Sequence, residues 1–469
     1  MKKYYLTTIV LFFLLLAIPM LAFNREENVR SEIDNRMLTN NPFGENEEHS
    51  GGRGLSEALM DYVADRIGFR SDMIRQYTAF HDRVFGIMIH PSYVYGKDGY
   101  VFFPNAGGGP ELTDYHRSFA KMVIAIERYC DERDVPFLFV FDPIKNAVIR
   151  DKLPDGIHFN NQWKEGFFSL LDEGGVRWVD TTEILTRKWN EGEKVFNPQY
   201  NAGHWNDLGA FYAVNEMLSA LEDDFPALTP NELSEFSVRQ KLNTSLPVSE
   251  FPISEYETVI SRTAPVSDVT KDWADEVELS EEFRRFKYIR NEEQLEKGAP
   301  RTLVFQGSYM NEMGHVFLEN RLGEYISVHG YQNVLDFEYY FDLFEPECVI
   351  FETAEYVFSD YYYSQERMES FDLPHPGETL EDCAEMSADP NTARIVFEKG
   401  KTVTVMSVSG LPEGTDRVCA IMGEKTYWLR PREGAFTLSL RTGAFEEGSV
   451  IAADTQMRTK YVLRIPEPG

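Results

Sequence analysis

Cysteine is scarce in this 469-residue chain. Cys130, Cys348, Cys383 and Cys419 show no CxxC spacing. That pattern excludes a zinc ribbon and argues against a disulfide-stapled scaffold, leaving room for one or two bridges if the chain is exported. No HExxH and no cluster of His and Cys occurs, so neither a metal site nor a cofactor is expected. Positive charge is also short: 46 Lys and Arg face 77 Asp and Glu, for a net charge of −31. Such a chain is repelled by nucleic acid and by anionic membrane surfaces. After residue 23 no stretch is long and apolar enough to span a bilayer.

What is present begins with an exception to that last absence. Lys2 and Lys3 precede an apolar run from Tyr4 to Phe23, broken only by Thr7, Thr8 and Pro19. As a helix, about 20 residues rising about 1.5 Å each reach about 30 Å, the hydrocarbon thickness of a bilayer. The lysines stay inside, which sends everything after Asn24 across the membrane. A cleaved signal peptide is the competing reading. Met20-Leu21-Ala22 is a poor small-x-small site, which favours an uncleaved single-pass anchor over residues 1–23.

Residues 24–54, polar and ending in Ser50-Gly51-Gly52-Arg53-Gly54, read as a tether. An α/β domain is expected over 55–388. Apolar residues recur at helical spacing between Leu55 and Phe85 and again from Tyr115 to Cys130. The stretch from Val94 to Phe103 reads as two short strands around a Lys97-Asp98-Gly99 turn. Short apolar runs at 136–141, 301–305 and 348–351 are what a parallel sheet covered on both faces contains. The acidic stretch at about 230–298 reads as an insertion, part helical near Ser280 to Phe286, or as a lid. From Asp389 to residue 469, period-two alternation with glycine turns predicts a small all-β domain.

Two segments carry candidate chemistry. Gly307-Ser308 follows the strand ending at Phe305 and precedes sequence able to start a helix. A serine there sits at the carboxyl edge of a parallel sheet, where ligands bind. The amides of Ser308 and Tyr309 can receive an oxyanion. The second is Asn201-Ala202-Gly203-His204-Trp205-Asn206-Asp207, an accessible histidine before a helix. The bland alternative is a capping region, with Asn206 or Asp207 on the helix and His204 structural. His315 is the less promising histidine near the serine.

The order of landmarks resembles the DHHW-type branch of the SGNH hydrolase superfamily, which includes alginate O-acetylation proteins. The matching pieces are the anchor, Asp34-Asn35-Arg36, Asp65 to Arg70, GKDGYVFF at 96–103, FDPIKNAVIRDKLP at 141–154, His204-Trp205 and FQGSYM at 305–310. The resemblance implies an SGNH-like α/β fold. It implies a nucleophile at Ser308, its base at His204, and an acid just before the histidine. It also implies acetyl transfer to, or removal from, a polysaccharide outside the cell, with the acetyl group supplied through a membrane O-acyltransferase. Residues 389–469 resemble the carbohydrate-binding β-domain of some members. Trp205, Tyr361 and Tyr362 are the aromatics singled out to meet sugar rings, with core packing as the alternative for the tyrosines.

Two positions depart from the family pattern. Asn201 and Ala202 stand where the acid belongs, and Gln306 stands where Gly-Asp-Ser sequences place Asp. Asparagine orients an imidazole but cannot stabilise imidazolium by charge, and in the serine-protease template that change costs about 10⁴ in turnover. Asp207 is the alternative orienter. Two functions therefore follow: an O-acetyltransferase or acetylesterase, and a catalytically weakened glycan-binding or assembly subunit.

Overall fold

The computed structural model describes residues 2–31, 36–43, 55–89, 93–104, 109, 111–246, 252–375, 392–454 and 460–465. Its centre is a seven-stranded sheet. The strands are β1 (Phe137–Asp142), β2 (Trp178–Asp180), β3 (Ser267–Asp268), β4 (Phe286–Arg290), β5 (Arg301–Gln306), β6 (Glu324–His329) and β7 (Cys348–Ala354). They lie in the order β2-β1-β7-β5-β6-β4-β3. The first five pair in parallel. Each residue of β1 and β7 is buried, because both faces are covered and a solvated face would expose alternate positions.

A wholly parallel sheet was expected, and the sheet is mixed. β4 pairs antiparallel with β6, and β3 antiparallel with β4. Both lie in the stretch read as an insertion. The expected helical segment before β4 is instead a series of bends, pinned where the Ser280 amide donates to Asn333 Oδ1 at 2.7 Å. The same stretch contributes a long hairpin, Phe236–Ser245 against Pro252–Arg262.

The helices are α1 (Lys2–Leu21), α2 (Leu55–Arg66), α3 (Arg70–Phe85), α4 (Asp114–Asp131), α5 (Trp163–Glu173), α6 (Thr182–Asn190), α7 (Asp207–Leu221) and α8 (Phe337–Phe344). α4 buries Phe119 against Phe139 and Phe351 of the sheet. α7 starts at Asn206, whose side chain accepts the Gly209 amide, as an N-cap does. α1 is long and apolar enough to cross a membrane, by length and composition.

Residues 24–31 and 36–43 do not hang free. The buried Arg66 guanidinium donates to the carbonyls of Glu26, Thr39 and Leu38, and Asp65 accepts the Thr39 amide and hydroxyl. The landmark residues Asp34 and Asn35, the glycine-rich end of the tether and Cys383 lie outside the described residues.

The carboxyl-terminal region forms two four-stranded antiparallel sheets. Val403–Ser409 and Ala435–Arg441 pair at the middle of one, where the alternation was read. Met406, Val418, Leu438 and Val450 meet in a separate core. One carboxylate ties this unit to the α/β body. Glu276 accepts the amides of Lys401, Thr402 and Val403 and the Thr402 hydroxyl. Burial opposes its charge, yet these donors hold it down to about 2.

A carboxyl held below its unfolded value stabilises the fold above about pH 4.3 and loses that contribution as pH falls toward 2. Glu276→Ala should destabilise the protein by about 2 kcal/mol at neutral pH in urea unfolding. The gap to wild type should shrink as pH is lowered through that window.

Candidate functional site

Ser308 sits just past β5, at the carboxyl edge of the sheet. The Gly307 amide donates to Glu352 Oε2 at 2.6 Å. Glu352 lies on β7 with Asp142 as its diagonal neighbour on β1, on the same face. Both carboxyls are fully buried. Thr181 donates to Asp142 Oδ1 at 2.7 Å. Burial first, then the mutual repulsion of two carboxylates, pushes Asp142 well up. Burial also pushes Glu352 up to about 7, against the pull of the Gly307 amide that it accepts from the turn before the serine.

A Cβ at Gly307 would lie 2.7 Å from the Tyr331 hydroxyl, so only glycine lets the two segments approach this closely. After the serine the chain enters a π-helical turn, Met310–Gly314, before the helix at His315–Glu319. Gln306 donates to Asn311 and accepts from Tyr325.

His204 reaches the same point from the loop before α7. Its Nε2 is 2.8 Å from Ser308 Oγ, and its Nδ1 is 3.1 Å from Asn201 Oδ1. An acceptor at Nδ1 places the imidazole proton there and leaves Nε2 to accept from the serine. Asn201 has φ of 65°, the left-handed region that asparagine tolerates well. In that conformation its Oδ1 also accepts the amides of Gly203 and His204, closing the loop.

Distant residues hold this loop in place. The Lys145 ammonium donates to the carbonyls of Val101, Asn197 and Pro198, and the Lys145 amide donates to Gly203 O at 3.0 Å. Burial pushes Lys145 down to about 7, opposed by the field of Glu255. From the hairpin, Glu255 accepts the amides of Gln199 and Tyr200.

Asp207 faces away. Its carboxylate accepts the Ile260 amide at 2.6 Å and makes no hydrogen bond to His204 among the described residues. Among the described residues no carboxylate then hydrogen-bonds the imidazole. Burial holds His204 down to about 4, with Glu312 opposing. Trp205 is fully buried, stacks edge-on to Tyr309 and donates to its carbonyl at 3.3 Å, which leaves no ring face for a ligand. Tyr309 is buried too, its hydroxyl donating to the carbonyls of Pro143 and Gly203.

The residue that sequence reasoning did not single out is Tyr356. Its hydroxyl lies 2.5 Å from Ser308 Oγ and 3.4 Å from His204 Nε2. The Ser308 amide points at the Tyr331 hydroxyl, 3.4 Å away. Tyr356 opens an aromatic run, 356–363, that also holds Tyr361 and Tyr362, the tyrosines singled out to meet sugar rings. Tyr362 packs on Tyr331 and Tyr356, and Tyr361 is 59% exposed beside it. The run's first ring thus meets the serine, while its middle rings form the adjoining wall. His315 lies beyond the turn, with Nδ1 3.3 Å from the Met310 carbonyl. No group of three or more His, Cys, Asp or Glu able to hold a metal occurs among the described residues.

No protein-family model and no curated protein matches the chain. Several solved structures do. PatB1 of Bacillus cereus matches at 14% identity and a TM-score of 0.42, over 60% of this chain and 97% of that one. A DHHW family protein from Eubacterium siraeum matches at 15% and 0.41, over 61% and 97%. The O-acetyltransferase domain of Pseudomonas putida AlgJ matches at 14% and 0.39, over 60% and 100%. The second of these is of the branch that the sequence landmarks resemble.

Gly307→Ala should slow labelling of Ser308 by a sulfonyl fluoride by about tenfold or more, since a small displacement at a reacting atom costs rate steeply. Tyr331→Phe in the same chain removes the hydroxyl that the new methyl group meets. It should recover part of the loss, read as labelling rate by mass spectrometry.

Proposed function

We propose that this chain is an extracytoplasmic O-acetyltransferase or acetylesterase that acts on a cell-surface or exported polysaccharide, held at the membrane by α1. The observation that carries the reading is the 2.8 Å contact between Ser308 Oγ and His204 Nε2, continued to Asn201. A serine hydroxyl, an imidazole accepting its proton and a third group fixing the tautomer form the constellation of acyl transfer by a covalent intermediate.

The reaction is a double displacement. Ser308 Oγ attacks the acetyl carbonyl carbon while its proton passes to His204 Nε2. The oxyanion forms near the amides of Ser308 and Tyr309. The Tyr356 hydroxyl, already against Ser308 Oγ, supplies a further donor on that side. His204 returns the proton to the leaving oxygen, and an acetyl-Ser308 ester remains. A sugar hydroxyl or water, deprotonated by His204, then attacks the ester and releases the serine. A membrane O-acyltransferase is the proposed source of the acetyl group. The exposed Tyr361 ring, with Tyr362 beside it, suits the apolar face of a sugar.

The weakened orienter supports a second reading. With asparagine at Nδ1 the imidazolium gains no countercharge, so the chain would serve as a glycan-binding or assembly subunit with residual turnover. Purified full chain with p-nitrophenyl acetate separates the two. The enzyme reading expects a burst of p-nitrophenol that Ser308→Ala abolishes. No burst in wild type and none in Asn201→Asp would leave the binding role.

The pH profile is a further check. His204 works as a base only when neutral, and it is held down to about 4. The rate should therefore stay level from about pH 5 upward and fall below about pH 4. Asn201→Asp places an anion at Nδ1, which favours imidazolium. The acid limb should move toward or above about 6.5 and the plateau should rise by about tenfold or more.

A further inference from the structure

α3 leaves a row of apolar side chains uncovered. On the side that meets the protein, Thr78 is buried and donates to the Ile89 carbonyl, and Asp82 accepts the Tyr95 hydroxyl. Its apolar side chains face out. Tyr77, Phe80 and Val84 are each 55% exposed and Met73 is 45% exposed. Positions 73, 77, 80 and 84 fall at i, i+4, i+7 and i+11, a single row along the helix. Ile87, just past its end, is 54% exposed. From Met73 to Val84 the row runs about 16 Å along the helix. Soluble surfaces rarely carry so continuous an apolar strip without something to cover it.

The position of α3 in the chain indicates what covers it. The corner between α2 and α3 is fastened to the last turn of α1. The Gly68 amide donates to the Pro19 carbonyl at 2.9 Å, and the Asn24 amide donates to Arg66 O at 2.8 Å. A Cβ on Gly68 would lie 2.4 Å from Ala22 Cβ, so the two segments touch. Phe23 stacks edge-on against Tyr62 of α2. α3 therefore starts where α1 ends, at the level at which a membrane-spanning α1 leaves the hydrocarbon. The chain's net charge does not forbid that contact: α3 itself carries Arg70, Arg75 and Arg83 against Asp72 and Asp82, and Asp82 is turned inward.

We propose that α3 is a second membrane contact, lying in the plane of the bilayer surface with Met73, Tyr77, Phe80 and Val84 among the headgroups and upper acyl chains. This rests on the reading of α1 as an uncleaved anchor. An in-plane helix of this kind buries its apolar row at the headgroup boundary and lets an arginine such as Arg83 reach out to the headgroups. Two fixed points would set the orientation of the body, where one spanning helix leaves it free to swing.

The test uses full-length chain reconstituted in vesicles of phosphatidylcholine and phosphatidylglycerol, with Cys383→Ser to remove the one cysteine outside the described residues. Nitroxide labels are placed singly at Tyr77→Cys, Phe80→Cys, Val84→Cys, at Phe12→Cys within α1 and at Glu398→Cys on the β-domain. Paramagnetic relaxation by oxygen and by a water-soluble nickel chelate then reads depth. The proposal expects the oxygen-to-nickel ratio at 77, 80 and 84 to exceed that at 398 by about threefold or more, between the values at 398 and at 12. Ratios at 77, 80 and 84 equal to that at 398, with 12 in the membrane, overturn it and leave the anchor standing. Labels at 77, 80 and 84 that are immobile and shielded from both reagents show protein on that face, a partner or a second copy, and also overturn it. A mature chain that begins after residue 23, seen by intact mass, removes the anchor and the argument with it.

Discussion

Lys145 carries an ammonium group into the core and satisfies it with the carbonyls of Val101, Asn197 and Pro198. An unpaired charge there would cost several kcal/mol, so the three carbonyls and the lysine must be placed together or not at all. This requirement joins the hairpin at 94–102 to the loop at 197–203. The lysine's own amide fixes Gly203, one residue before the histidine. The approach of His204 to Ser308 is thus a consequence of how a buried cation is paired.

The serine side of the site is governed by the opposite charge. Glu352 and Asp142 are buried together where burial and mutual repulsion disfavour their charges, and Glu352 takes the Gly307 amide. Lysine and carboxyl pair lie at the same sheet edge, one supporting the His204 loop and the other the Ser308 turn. Between them Tyr309 fills the interior, its hydroxyl bonded to the carbonyls of Pro143 and Gly203, which ties the segment after β1 and the histidine loop to the serine turn.

Much of the fold could be read along the chain. Strands 137–142 and 348–354 were visible because burial on both faces demands unbroken apolar sequence, and the β-domain because burial on one face demands alternation. β4 was not visible. It is a strand of five residues, FKYIR, next to the sheet edge, with Lys287 and Arg290 only half-buried, so it offers no unbroken apolar run to set it apart from the charged loops around it. The pairing of Ser308 with His204 was legible from the glycine turn, the histidine loop and the family order. Tyr356 was legible only as one aromatic among several, since nothing local distinguishes the ring whose hydroxyl meets the serine from those that form the wall.

By itself, then, the sequence determined which segments bury themselves, where the apolar amino-terminal helix ends, and which serine and histidine stand at turns able to present them. These are matters of local pattern. The tertiary structure alone decided the partners. It turned Asp207 to the hairpin at Ile260, set Tyr356 against the serine and faced the apolar row of α3 outward. Asp207 and Ile260 lie 53 positions apart and Tyr356 and Ser308 lie 48 apart, and the outward row depends on which side of a helix the body covers, so no local window of sequence contains that information.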